Sequence, residues 1–199
     1  MDLRLFIAIE LPEEWLAALA RVQEALQGTG LAALRWTRPE GIHLTLKFLG
    51  AVPEARVAEI VQAMTRAAAQ TTPFTLRLGR LGTFGGPERP RVLWTGVQGE
   101  LNALTRLWRA VETSISPLGF PQERDTFAPH LTLARVPEPT QREVAASLAE
   151  ALRRVPVPKP EPFTVQEIAL MRSLLGPSGA RYLRLAAAPL AQNSPDIQG

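Results

Sequence analysis

The chain holds two histidines, and both open the same four-residue phrase: His43-Leu44-Thr45-Leu46 and His130-Leu131-Thr132-Leu133. With 15 Thr and 29 Leu among 199 residues, one histidine followed by Leu-Thr-Leu has a chance of about 10⁻³, and both of about 10⁻⁶, for independent draws from this composition. A single segment of this kind reads as strand propensity and packing. Two of them, using all the histidine in the chain, point to paired chemistry. Side chains on a strand alternate between faces, so each His shares a face with the Thr two residues on. The two Leu of each phrase anchor the opposite face in a core. Two such strands side by side line a cleft with two imidazoles and two hydroxyls.

That set suits hydrolysis of a phosphodiester. Imidazole titrates near 6.5, so at neutral pH one ring can be neutral and the other charged. The neutral ring takes a proton from water as it attacks phosphorus, and the charged ring gives one to the departing sugar oxygen. The Thr hydroxyls can donate to the non-bridging phosphate oxygens, which gain charge in the transition state. A cyclic phosphate is already strained, so no metal is needed.

Other chemistries find few residues. There is no cysteine, which removes disulfides, thiolate zinc sites and thiol catalysis and fits a reducing cytosol. Two histidines without a carboxylate at ligand spacing make a poor metal set, so neither metal nor cofactor is expected. No Gly-x-Ser-x-Gly elbow and no Walker loop occurs. Gly82-Thr83-Phe84-Gly85-Gly86 lacks the Lys-Ser/Thr that would follow, and reads as a flexible rim. Net charge is +3, yet the pI is about 10.1, because 20 of the 22 cations are Arg and only Lys47 and Lys159 are Lys. Arginine's planar fork suits phosphate, so the composition permits a phosphate-bearing partner. No apolar run is long enough to span a membrane. The apolar start Leu3–Ile9 is broken by Arg4 and closed by Glu10, which fits a buried strand and not a signal peptide.

The elements that must position the histidines alternate in two halves. Residues 3–10 read as a strand. A helix from Pro12 to Gln27 follows, ended by Gly28 and Gly30, with Trp15, Leu16, Leu19, Val22 and Leu26 at helical spacing. Strands are expected over 34–36 and 42–49, parted by a turn at Pro39 and Gly41. A helix over 53–69 and strands over 74–81 and 92–97 come next, with a Gly/Pro loop over 82–90 between them. The second half repeats the plan: a helix over 101–115, a loop over 117–129, a strand over 130–136 and a helix over 140–153 with a Thr140-to-Glu143 capping box. A Pro-rich linker, 155–160, leads to closing strands over 163–172 and 180–187. Residues 1–188 are expected to form one domain, with 189–199 a flexible tail.

At these residues the chain resembles the 2H phosphoesterase superfamily, and more closely the RNA 2′,3′-cyclic phosphodiesterases, also called 2′-5′ RNA ligases. The likeness runs through Arg4-Leu5-Phe6-Ile7-Ala8-Ile9, Trp36 before Pro39, and His43-Leu44-Thr45-Leu46-Lys47-Phe48-Leu49-Gly50. It continues in Pro90-Arg91-Val92-Leu93-Trp94, Phe127-Ala128-Pro129-His130-Leu131-Thr132-Leu133-Ala134-Arg135, Met171-Arg172-Ser173 and Gly179-Ala180-Arg181-Tyr182. The resemblance implies a bilobal α/β fold of the α+β type, with two pseudo-symmetric halves. Antiparallel sheets line a central cleft and helices lie outside.

The resemblance also implies the reaction, opening a terminal 2′,3′-cyclic phosphate to a 2′-phosphomonoester, with His43 as proton donor and His130 as acceptor. The residues alone do not order the two. Thr45 and Thr132 are expected to bind phosphate. Lys47, two residues past Thr45, belongs on the cleft face by alternation and is expected there too. Arg135 is placed at the phosphate by the resemblance, although alternation points it away unless the strand end twists or bulges. Phe48 and Trp36 could stack on a base, but core packing is the expectation for each. The expected partner is RNA with a cyclic phosphate end, such as tRNA fragments, or small cyclic nucleotides. The protein is expected to be a cytoplasmic monomer. Two readings compete with hydrolysis: 2′-5′ ligation at the same site, and a non-catalytic module that binds RNA ends.

Overall fold

The computed structural model describes residues 1–123, 126–176 and 179–192. Nine strands and four α-helices occur among the described residues, in the order β1 (Asp2–Glu10), α1 (Glu13–Leu26), β2 (Arg35–Trp36), β3 (His43–Pro53), α2 (Val57–Ala68), β4 (Phe74–Gly86), β5 (Arg89–Gly99), α3 (Leu101–Ile115), β6 (His130–Arg135), α4 (Gln141–Arg154), β7 (Phe163–Val165), β8 (Glu167–Gly176) and β9 (Gly179–Pro189). All strand pairs are antiparallel, in the order β7-β4-β5-β6-β3-β1-β8-β9, with β2 attached to β6. β3 and β6, which carry the two histidine phrases, meet in the middle of that order.

The helices cover one face of the sheet. The spacing that predicts α1 is the spacing that buries Trp15, Leu19, Val22 and Leu26, and the Trp15 indole N–H donates to the Glu161 carbonyl at 3.0 Å. Helix α2 buries Ile60 and Met64 completely, each such side chain stabilising by roughly 1.5–3 kcal/mol. Along β1, Leu3, Leu5, Ile7 and Ile9 face the helices, while Phe6 and Ala8 join Ala169 and Met171 in a small cluster on the other side. So β1 is buried on both faces from Leu5 to Ile9, as its apolar run past Arg4 requires.

Four local readings differ from the structure. Gly82–Gly86 is strand and not a loose rim, because β4 and β5 pair along to Gly86↔Arg89. Gly82 is there for space: a Cβ on it would lie 2.2 Å from the Trp94 ring. The stretch 163–172 is two strands. β7 pairs with β4 at one edge of the sheet, β8 pairs with β1 near the other, and only Gln166 separates them. A sheet whose edge strand on one side and second strand from the other side are joined by one residue must curl back on itself, and its concave side makes the cleft. The capping box is also absent: Thr140 sits in a helical turn and its hydroxyl donates to the Pro137 carbonyl at 3.0 Å. Finally, Pro189 ends β9, Leu190 is buried and the Ala191 N–H donates to the Thr71 carbonyl. The remainder of the expected tail, 193–199, and residues 124–125 of the loop before β6 lie outside the described residues.

Lys47 is the largest departure from alternation. Thr45 pairs with Ala8 and Lys47 with Ile7, so Leu46 is an extra residue in β3. That bulge turns Lys47 to the helical side, where it is almost fully buried. Its ammonium contacts a Glu112 carboxylate oxygen at 2.8 Å and the Pro121 carbonyl at 2.6 Å. The same Glu112 oxygen accepts the Glu123 N–H at 3.1 Å. One buried ion pair thus ties β3 to α3 and to the loop that leads into β6. Removing one member strands the other charge in a dry site, which costs about 3–5 kcal/mol. We expect Lys47→Met to lower unfolding free energy by that amount, and Lys47→Met/Glu112→Leu to restore part of it. Equal urea midpoints for Lys47→Met and the parent would refute this account of the pair.

Candidate active site

The two histidine strands are paired through Leu44↔Leu131. Continuing that antiparallel register by one residue each way sets His43 opposite Thr132 and Thr45 opposite His130. The imidazoles are then diagonal neighbours on one face, with backbones roughly 7–8 Å apart. Both rings and both Thr side chains line one cleft of about 450 Å³, together with Arg4, Phe48, Arg135 and Tyr182 among others. Neither Thr hydroxyl has a hydrogen-bond partner among the described residues, so both are available to a ligand.

Each imidazole is held in the same way. His43 Nδ1 lies 2.8 Å from the Gly41 carbonyl, and His130 Nδ1 lies 2.8 Å from the Ala128 carbonyl. A carbonyl only accepts, so Nδ1 carries hydrogen in both rings and Nε2 is left for the substrate. Aromatic rings complete the seat. Phe6 stacks on His43 with centroids 4.6 Å apart, and Tyr182 meets His43 edge to face at 5.0 Å. Gly41 has no side chain because a Cβ would lie 3.1 Å from the Tyr182 ring. On the other side, Phe84 stands at 89° to His130 with centroids 4.7 Å apart, and Trp94 packs behind Phe84.

The bulge after the first phrase recurs after the second. Trp94 pairs with Thr132 and Leu93 with Ala134, so Leu133 is the extra residue in β6. The residue five past each histidine therefore swings back to the cleft: Phe48 in β3 and Arg135 in β6. Arg135 lines the cleft, as the resemblance implied, by way of the bulge that strict alternation lacked. Lys47 does not; the expectation that it binds phosphate is corrected by its burial against Glu112. Phe48 is corrected in the opposite sense, being 63 % exposed at the cleft and not in the core. Trp36 packs against the core as expected, with its indole N–H donating to the Leu31 carbonyl.

Burial pushes both imidazoles below their ordinary value near 6.5. The Nδ1 hydrogen bonds to Gly41 and Ala128 oppose this in part. His43 is lowered further by the charge of His130, and His130 by the Arg135 guanidinium. Among the described residues no group of three or more His, Asp or Glu side chains stands together in a way that could hold a metal ion.

A family model described as the 2′-5′ RNA ligase superfamily matches residues 11–177. The chain belongs to this superfamily. The RNA 2′,3′-cyclic phosphodiesterase of Geobacillus stearothermophilus is 39 % identical over 185 residues, which are 93 % of this chain and 56 % of that protein; the chain spans little more than half of that relative. The protein of the same name from Methanothermobacter thermautotrophicus is 33 % identical over 182 residues, covering 92 % of this chain and 96 % of its own. Among solved structures, TT0787 of Thermus thermophilus aligns with a TM-score of 0.75 at 30 % identity over 96 % of this chain and all of its own. Apo Escherichia coli LigT aligns with 0.72 at 26 % over 96 % and 99 %. The fold is that of the 2H phosphoesterases, as the resemblance implied.

Phe6, Tyr182, Phe84 and the Gly41 and Ala128 carbonyls were not singled out as site groups from the sequence. Phe6 and Tyr182 fall in segments that carry the resemblance, and that was the available signal. Ala128 falls in such a segment too, but no residue type marks a carbonyl as a site group, since any residue supplies one.

The lowered imidazoles have a consequence for stability. A group whose native value is depressed binds fewer protons folded than unfolded, so its contribution is lost as pH falls from 6.5 toward the native value. We expect NMR titration to place both imidazoles below 6.5. We also expect His43→Asn to lose less stability than the parent between pH 7 and pH 5 in urea unfolding. A parallel loss in both proteins would contradict the assignment.

Proposed function

We propose that this protein hydrolyses the 2′,3′-cyclic phosphate at the 3′ end of RNA to a 2′-phosphomonoester. The observation that carries the reading is the pair of identically held imidazoles, which line one cleft from neighbouring strands with Nδ1 engaged by a carbonyl in each. The names of the relatives support the same substrate.

Water attacks phosphorus as the His130 Nε2 takes its proton. The bond from phosphorus to O3′ breaks on the opposite side, and His43 Nε2–H gives its proton to O3′. Two features support this order. The Arg135 cation disfavours a charged His130, which keeps it the base. The face of Phe6 lies against His43, and an aromatic face favours a cation upon it. An anionic phosphate in the cleft then raises His43 so that it can be the acid. Thr45 and Thr132 donate to the non-bridging oxygens, and Arg135 supplies a charged contact. Both histidines come from one chain, so a monomer is sufficient. The absence of cysteine suits a reducing compartment such as the cytoplasm, and no helix among the described residues is long and apolar enough to cross a membrane. Tyr182 and the exposed Phe48 offer rings to a base; tRNA fragments and small cyclic nucleotides both fit this description.

Product analysis on an oligonucleotide ending in a 2′,3′-cyclic phosphate should give the 2′-monoester alone; a 3′-monoester would reverse the donor and acceptor geometry. His43→Ala and His130→Ala should each lower kcat by about 10²–10⁴-fold with the fold intact by circular dichroism. Excess EDTA should leave the rate unchanged. Catalysis needs one ring protonated and one neutral, so kcat/KM should be bell-shaped with its maximum on the acid side of 6.5. A maximum well above neutrality would remove the two free imidazoles as the titrating pair.

A further inference from the structure

Next to the cleft lies a second hollow, of about 830 Å³, lined by Arg35, Arg89, Arg91 and Arg135. Arg135 lines both. Its neighbours across the sheet show how the two join: Val92 on β5, which faces the cleft, and Arg35 on β2, which faces the hollow. The Val136 N–H donates to the Arg91 carbonyl at 2.9 Å and pins that strand beside the end of β6. The turn before α4 and the first residue of that helix close the hollow, with Pro139 and Gln141 in its wall, so the α4 N-terminus and its partial positive charge border it.

The charge here is unbalanced. Among the described residues one carboxylate, Glu138, lines the hollow against four guanidiniums. None of the four is in an ion pair or hydrogen bond through its side chain among the described residues. Arg35 and Arg135 stand directly opposite each other in the ladder, where like charges destabilise. A chain whose net charge is only +3 gathers four cations at this one place. An anion held between them relieves the repulsion, and guanidinium forks match phosphate oxygens two at a time.

We propose that Arg35, Arg89, Arg91 and Arg135 form a cradle for a backbone phosphate of the RNA strand that enters 5′ to the cyclic end. The inference rests on the proposed function for the identity of the strand. It makes the protein an enzyme for strand ends in preference to mononucleotides. The cyclic phosphate sits between the histidines, the chain of sugars and phosphates passes Arg135, and the preceding nucleotides reach the hollow. The mononucleotide has nothing to place there.

The test compares a cytidine 2′,3′-cyclic phosphate with a pentanucleotide carrying the same end, using Arg35→Ala/Arg91→Ala. Both residues lie outside the catalytic cleft. We expect KM for the pentanucleotide to rise about tenfold or more, and its log K against log [salt] slope to fall by about 0.7 for each phosphate charge that is no longer neutralised. Turnover of the mononucleotide should stay unchanged. Equal loss on both substrates would mean the arginines act on the cleft itself, and no loss on either would mean they hold no strand; each result overturns the proposal. Binding of a labelled pentanucleotide with a 2′-phosphate end, followed by fluorescence anisotropy, reads the cradle without turnover. If the parent cleaves neither substrate but the variant still loses affinity for this strand, the proposed reaction fails and the cradle stands. If tripolyphosphate binds the parent as tightly as the strand and is lost equally in the variant, the hollow is a site for free polyphosphate and the proposal fails.

Discussion

The structure depends on one ladder contact, Leu44 against Leu131 in the centre of the sheet. Both leucines are buried on the helical side. Because strand faces alternate, burying them there forces the residues on either side of each to the concave face. Those residues are His43, Thr45, His130 and Thr132. The same hydrophobic free energy that holds the sheet to its helices therefore aims the two imidazoles and two hydroxyls into the cleft. A slip of one residue in this register would send the imidazoles into the core and the leucines into the cleft.

The bulges after each phrase add what alternation cannot. Four residues per motif are not enough to bring a charged or aromatic side chain to the substrate from farther along the strand. An extra residue at Leu46 and at Leu133 resets the phase, so that Phe48 and Arg135 return to the concave face. The position in between then points inward. In β6 it is Ala134, which fits the core without a partner. In β3 it is Lys47, which needs Glu112. The two halves share a backbone device but fill it differently, bringing an aromatic ring to the cleft from β3 and a guanidinium from β6.

Much of this was legible in the sequence. The repeated phrase gave the two histidines, the two threonines and the shared face, because periodicity of two is a direct consequence of strand geometry. Most helices and strands followed from apolar spacing. The bulges are not legible, because no residue type marks them here; strict alternation therefore puts Lys47 in the cleft, where the structure buries it, and nothing in the pattern signals that Phe48 faces the cleft. Glycine misleads over 82–86, where Gly82 serves the approach of the Trp94 ring and Gly85 the approach of the β5 backbone within a paired strand. The Phe84 contact with His130 was hidden by the same error. Which strands lie at the edges could not be read either, since pairing between β4 and β7, or β1 and β8, joins segments far apart in the chain.

That late pairing bears on how the chain reaches its fold. The strands that finish both sides of the sheet, β7 on one and β8 with β9 on the other, come late in the chain and flank Gln166. Until they arrive, β4 and β1 each expose an unpaired rim. Contacts of such long sequence separation slow folding, and bare rims of this kind favour association between nascent copies. A ribosome-bound chain ending before Phe163 would thus own both histidines, both threonines and Arg135 while its scaffold stayed unsealed.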